Sequence, residues 1–206
     1  MGFGAGVLIS ALAFELTEEA FRLGGADAVT IGLAAGALAY FVGNRQLVTR
    51  GAKQRMSAGG EQAGASATAL LLGAVLDGIP ESAVIGISVL EGGSVGIPVL
   101  AAVFISNLPE AFSSSAGMSR GHTRRHILVT WGAVVLACGL AAAIGYGALD
   151  GASGNTIGLI QAFAAGAVLT MLADTMMPEA FKKGGTAVGL LTTLGFALAY
   201  LLSTLE

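Results

Sequence analysis

Apolar residues fill seven long stretches of this chain, and polar or charged residues mark the breaks between them. The stretches cover residues 2–21, 26–43, 65–90, 95–118, 127–149, 156–178 and 185–204. Each has about the 20 residues that a helix needs to cross a hydrocarbon core of ~30 Å. Strict alternation of apolar and polar positions is missing, so a β-barrel does not fit the pattern. We therefore predict an all-α, polytopic membrane helix bundle with seven spans, forming a single transmembrane domain over residues 1–206.

The composition strengthens this prediction. The chain is 54% hydrophobic and only 11% charged, whereas soluble domains carry about 25% charged residues. Its 32 glycines indicate close packing of membrane helices, because small residues let backbones approach each other. The single cysteine, Cys138, excludes a disulfide within one chain.

The basic residues orient the bundle. With seven spans, nine of the ten Lys and Arg residues fall on one side, in loops 44–64, 119–126 and 182–184, and Arg22 alone falls on the other. Basic loops face the cytoplasm in membrane proteins. We therefore expect an integral, multi-pass protein of the plasma or inner membrane with these three loops in the cytoplasm.

The two ends of the chain resemble each other. Residues 3–21 align without a gap on residues 163–181, and eight of the 19 positions are identical, including a shared Glu-Ala-Phe end. The predicted topology runs the two copies in opposite directions across the membrane. An inverted repeat of this kind is common in secondary transporters.

Two Pro-Glu runs lie inside apolar stretches: Asp77-Gly-Ile-Pro-Glu-Ser82 and Ser106-Asn-Leu-Pro-Glu-Ala111. A carboxylate in hydrocarbon costs about 2.5–3.5 kcal/mol even on lenient insertion scales. Residues four apart share one helix face, and each proline bends its helix. Because only a short loop at 91–96 joins the two stretches, we expect antiparallel neighbours whose Pro-Glu steps meet at similar depth.

The two runs predict a cation site. Its candidate ligands are Asp77, Glu81, Ser106, Asn107 and Glu110. Three close carboxylates repel each other unless they are protonated or neutralised by a cation, and a divalent metal would neutralise them. The alternative from the residues alone is a protonated, hydrogen-bonded polar patch that fixes helix packing.

At these two runs the sequence resembles the ZIP (Zrt/Irt-like) family of divalent-metal transporters. That family carries motifs of the type H-N-x-P-[ED]-G in its fourth helix and [HQ]-[END]-x-P-[EH]-[GE] in its fifth. Residues 163–180 resemble its seventh helix and residues 2–20 its second. The resemblance implies eight helices arranged as 3+2+3, with inverted outer triplets and a metal centre, often binuclear, near mid-membrane. This chain would then lack the family's first helix.

The departures from the family pattern bear on the metal. Asp77 stands at a position that is usually His, Gly78 at one that is Asn, and Ser106 at one that is often His or Gln. No predicted span contains a histidine, which favours Mn²⁺ or Fe²⁺ over Zn²⁺ by ligand preference. Loss of the bridging side chain at Gly78 weakens the case for two metals. The resemblance also suggests Asp174, and with it Glu179, as a relay on the cytoplasmic side.

The expected function is transport of a divalent metal (Zn, Fe or Mn) toward the cytoplasm. The metal is the substrate, so we expect no prosthetic group and no enzymatic activity. The expected partners are the metal and the lipid bilayer, with a homodimer as a candidate assembly and no nucleic acid. Two alternatives stay open: a non-transporting structural or regulatory relative of the ZIP family, and a proton-coupled carrier of another solute.

Overall fold

The fold was obtained as a computed structural model. It describes residues 1–49, 78–79, 81–83, 85–87, 89, 97–119, 121–149 and 151–204. These residues form helices and turns, with no strand among them, and the prediction of an all-α chain is confirmed for this part.

The helices follow one another with short breaks. In chain order they are α1 (Gly2–Ala11), the π-helical turn π1 (Leu12–Thr17), α2 (Glu18–Thr49), α3 (Ile97–Met118), α4 (Arg124–Leu149), α5 (Gly154–Met171), the π-helical turn π2 (Leu172–Met176), α6 (Met177–Gly184) and α7 (Ala187–Ser203). Helical residues between 78 and 89, here called the Glu81 segment, belong to the third predicted stretch. The helix α3 continues through Pro109.

Local chemistry explains several of these boundaries. Gly25 interrupts α2 with φ 71° and ψ −174°, a conformation that glycine reaches without steric cost. Ser153 caps α5, because its hydroxyl oxygen accepts a hydrogen bond from the Thr156 backbone N–H at 3.3 Å. Thr123 does the same for α4 through the His126 N–H at 3.3 Å. Side-chain caps of this kind satisfy donors that have no partner inside the helix.

The apolar helices indicate a protein embedded in a membrane. Three helical stretches of the described residues are long and apolar enough to cross one: Gly2–Gln46, Arg124–Gly147 and Gly154–Gly184. The first of them contains the break at Gly25, and Ala187–Ser203 is a shorter apolar helix. Large apolar side chains on α4 and α7 stay exposed, such as Leu128, Leu136 and Leu190 at 72%, 70% and 73%. A lipid-facing surface requires such side chains.

The core lies between α1 and the continuous stretch made by α5 and π2. Val168, Met171, Leu172 and Met176 are each at most 2% exposed. They cluster with Leu8 and other buried residues of α1. Ile85 of the Glu81 segment and Val103 of α3 pack against the same cluster. The central helices that carry the Pro-Glu runs are therefore attached to this core.

Two helix pairs approach closely, and both use glycines. A β-carbon built on Gly6 of α1 would lie 1.9 Å from the Thr192 carbonyl oxygen of α7. A β-carbon on Gly36 of α2 would lie 1.9 Å from the Phe163 oxygen of α5. Real β-carbons do not reach such distances, so only glycine permits these contacts. Close backbone approach of this kind holds helices together in membranes.

A glycine contact with a phenylalanine carbonyl occurs at both ends of the chain. Gly195 of α7 faces the Phe3 oxygen, and Gly36 of α2 faces the Phe163 oxygen, with their β-carbon positions at 2.1 and 1.9 Å. The π-helical turns π1 and π2 begin at Leu12 and Leu172, 160 residues apart. Phe3 and Phe163 are related by the same offset of 160. The core helices of the two chain ends thus share a local irregularity and a packing contact.

The turn π2 includes one side-chain hydrogen bond that suits its geometry. Thr175 donates from its hydroxyl to the Met171 carbonyl oxygen at 2.6 Å. A π-turn inserts a residue into the ladder of i to i−4 bonds, which leaves a carbonyl in need of another donor. Turns of this type occur frequently at functional sites.

Substitution of a contact glycine tests the packing. In Gly36→Ala the new methyl group would collide with the Phe163 carbonyl, and we expect the free energy of unfolding to fall by about 1–3 kcal/mol, the usual cost of overpacking. Gly132→Ala is the matched control, because no atom of the described residues lies within 4 Å of the β-carbon position there. The control should be neutral or slightly stabilised. Unfolding in detergent micelles measures both, and equal stabilities for the two variants would contradict this account of the packing.

Candidate functional site

A buried carboxylate–amide pair joins the two central helices. Glu81 of the Glu81 segment is 2% exposed. Its Oε2 atom accepts a hydrogen bond from Nδ2 of Asn107 on α3 at 2.5 Å. The two residues belong to different Pro-Glu runs, 26 positions apart in the chain. A buried carboxylate is costly, and a hydrogen bond from a neighbouring helix offsets part of that cost.

The Asn107 amide is held by two bonds. Its Nδ2 donates to Glu81 and also to the Val103 carbonyl oxygen at 3.0 Å. Both hydrogens of the amide nitrogen are therefore committed. The remaining polar atom of this side chain is the oxygen Oδ1, and an amide oxygen is a ligand that hard divalent cations accept.

The pair lies on the core-facing side of its helices. Glu81 is four residues before Ile85, and Asn107 is four residues after Val103, so each polar residue shares a face with an apolar residue of the core contact. In antiparallel helices, a step of four residues forward along one helix lies opposite a step of four residues backward along the other, which is the relation found here. The polar pair therefore lies one turn away from the packing with α1 and α5.

The helix α4 supports this arrangement from a third direction. A β-carbon on Gly86 would lie 2.0 Å from the Ala142 oxygen, and one on Gly78 would lie 2.8 Å from the Cys138 sulfur. The thiol thus occupies the space of a side chain at position 78. Seven residues before Cys138 on the same helix, Trp131 donates from Nε1 to the Ser115 hydroxyl oxygen of α3 at 2.9 Å. Both central helices are thereby attached to α4.

The other predicted ligands are only partly described. Asp77 and the side chains of Ser106 and Glu110 lie outside the described residues, although the backbone at 106 and 110 is helical within α3. Among the His, Cys, Asp and Glu side chains that are described, no group of three or more could hold a metal ion. The structure brings Glu81 and Asn107 together, and the full ligand set stays a prediction.

The two predicted relay residues have different surroundings. Asp174 is exposed in the turn π2. Glu179 on α6 is 7% exposed, and its Oε1 atom contacts the Lys183 ammonium at 2.5 Å. The two carboxylates are thus not equivalent, and only Glu179 is withdrawn from solvent.

Sequence reasoning missed two contributors to this region. Cys138 and Trp131 were indistinguishable from other residues of an apolar stretch, yet they contact the neighbourhood of Glu81 and the helix of Asn107 respectively. The available signal was their spacing of seven residues, which puts both on one face of α4. Nothing in the sequence indicates which helix that face meets.

The helices and the buried pair define a helical membrane protein with a polar contact in its interior. Comparison of the chain with protein-family models, with curated proteins and with solved structures finds no match.

Loss of the Asn107 amide tests the contact. In Asn107→Ala the buried Glu81 carboxylate loses a donor, and we expect the free energy of unfolding to fall by about 1–3 kcal/mol. Asn155→Ala removes the same group from an exposed position at the start of α5 and should change stability little. Chemical unfolding in detergent compares the two. A stability of Asn107→Ala equal to that of Asn155→Ala would show that the hydrogen bond contributes nothing.

Proposed function

We propose that this chain is a carrier that moves a divalent metal cation across the membrane toward the cytoplasm, with a design similar to that of the ZIP family. The observation that carries the proposal is the Glu81 carboxylate, 2% exposed and bonded to Asn107 of a second helix. A membrane protein that keeps an acid in its interior pays for it in stability, and intramembrane acids typically mark ion or proton pathways.

The proposed ligands are Glu81, the Asn107 oxygen and the remaining members of the two Pro-Glu runs: Asp77, Ser106 and Glu110. All offer oxygen atoms. A ligand set of carboxylate, amide and hydroxyl oxygens suits Mn²⁺ and Fe²⁺ better than it suits Zn²⁺, which prefers nitrogen and sulfur. Among these metals we therefore expect the strongest response to Mn²⁺ or Fe²⁺.

An inverted repeat around this site is part of the proposal. Three observations support it: the 19-residue sequence match, the π-turns 160 residues apart, and the contact of Phe3 and Phe163 with glycines on α7 and α2. In carriers built this way the substrate lies where the repeats meet. Seven spans, with loops 44–64, 119–126 and 182–184 in the cytoplasm, complete the proposed topology.

Uptake into liposomes tests the function. With the purified full chain reconstituted, we expect uptake of Mn²⁺ or Fe²⁺ that saturates, and a loss of about tenfold or more in Glu81→Gln. A charge-assisted contact is worth ~1.5–3 kcal/mol, and 1.4 kcal/mol corresponds to a factor of ten. The variant keeps the size of the side chain and an acceptor for Asn107, so it should still fold.

Glu18→Gln is the matched control, because Glu18 is an exposed acid on α2. It should transport like the unmodified chain. If no protein in the series takes up a divalent metal, the result favours the alternative of a structural or regulatory role. Flux of another solute that persists with a chelator present would instead favour the proton-coupled carrier.

A further inference from the structure

The carboxylate of Glu179 is only half satisfied. Its Oε1 atom contacts Lys183 Nζ at 2.5 Å. Its Oε2 atom is buried and has no hydrogen-bond partner among the residues that the structure describes. The side chain is 7% exposed, whereas that of Lys183 is 44% exposed. The lysine therefore reaches inward from the surface to one oxygen of a buried acid.

This arrangement differs from an ordinary ion pair at a helix end. Ordinary pairs lie in solvent and contribute little to stability. Here, by contrast, a charged oxygen is buried without a partner among the described residues, which costs free energy. An ammonium group is a point charge on a flexible stem of four carbons. It can leave the carboxylate without rearrangement of the backbone, and a cation that replaces it could be coordinated by both carboxylate oxygens.

The other end of the chain has an acid at the equivalent position whose oxygens are both bonded, by an arginine three residues later rather than by a lysine four residues later. Glu19, 160 residues before Glu179, is bonded by Arg22 at both oxygens: Nε donates to Oε2 at 2.6 Å, and the second guanidinium nitrogen donates to Oε1. The planar fork of arginine fits a carboxylate in this bidentate way. Lysine at the Glu179 end engages one oxygen only, so the two ends differ in how fully the acid is occupied.

We propose that Glu179 is a second, exchangeable cation site and that Lys183 is a tethered cation that fills it when no metal is present. The inference rests on the proposed function, because it assigns this site to the cytoplasmic end of the route. There the arriving divalent metal displaces Lys183 from Glu179, and the returning ammonium group promotes release of the metal. The ligand is a divalent cation of the same class that Glu81 binds.

Binding to the purified full chain in a Glu81→Gln background isolates this second site. With Mn²⁺ as the probe in equilibrium dialysis, addition of Lys183→Met should tighten binding by about fivefold, the upper end of what an ion pair with an exposed ammonium group contributes. Lys182→Met is the matched control, because it removes the same charge from an exposed neighbour and should leave the affinity nearly unchanged. Addition of Glu179→Gln should abolish the binding.

Lys183→Arg separates competition from a merely structural role. Arginine should occupy both oxygens, as Arg22 does at Glu19, and so weaken Mn²⁺ binding below that of the Glu81→Gln parent, whereas a structural pair would tolerate the change. Equal affinities for Lys183→Met and Lys182→Met would overturn the inference, as would unchanged binding in Lys183→Arg. Binding that behaves as predicted while the unmodified chain transports no metal would contradict the proposed function and leave this site standing.

Discussion

The close contact between helix backbones is the constraint on which the rest of this structure depends. In a bilayer the hydrophobic effect does not press one helix against another, because lipid tails are as apolar as leucine side chains. Association must then come from atoms in contact. Here the Thr192 and Phe163 carbonyl oxygens lie where a β-carbon at positions 6 and 36 would be, so both positions need glycine. The same device joins the Glu81 segment to α4 through Gly86 and Ala142.

Tight packing determines which partners the buried carboxylates have. Glu81 is held by Asn107, whose two amide hydrogens are both used, so a cation would meet preoriented oxygens. Glu179 is contacted at one oxygen by the exposed Lys183, and its other oxygen has no hydrogen-bond partner among the described residues. A carrier needs both kinds of acid, because a substrate must be bound firmly at the centre and released easily at the end. The two carboxylates thus suit different steps of the proposed route.

The sequence predicted the helices well where breaks have a chemical signature. The gap between the predicted stretches 2–21 and 26–43 predicted a break, and Gly25 within that gap adopts a positive φ. The loop expected at 182–184 is helical instead, because α6 includes both lysines and ends at Gly184, where basic residues complement the helix dipole. The π-turns were not predictable, since one extra residue in the hydrogen-bond ladder leaves the apolar pattern intact. For the site, the two matching Pro-Glu runs and the short loop between them grouped Glu81 with Asn107. The burial of Glu179 and the exposure of Asp174 could not be predicted, because they depend on tertiary packing.

Binding of metal to the purified protein tests the central claim most directly. Equilibrium titration of the full chain with Mn²⁺ and Fe²⁺ should show a saturable site that the Glu81→Gln variant loses, apart from any binding at Glu179, while the Glu18→Gln variant retains it. This result is expected because the Glu81 carboxylate supplies the charge that a divalent cation needs in a buried place. Absence of saturable binding, or binding that is equal in the chain with and without Glu81, would contradict the account.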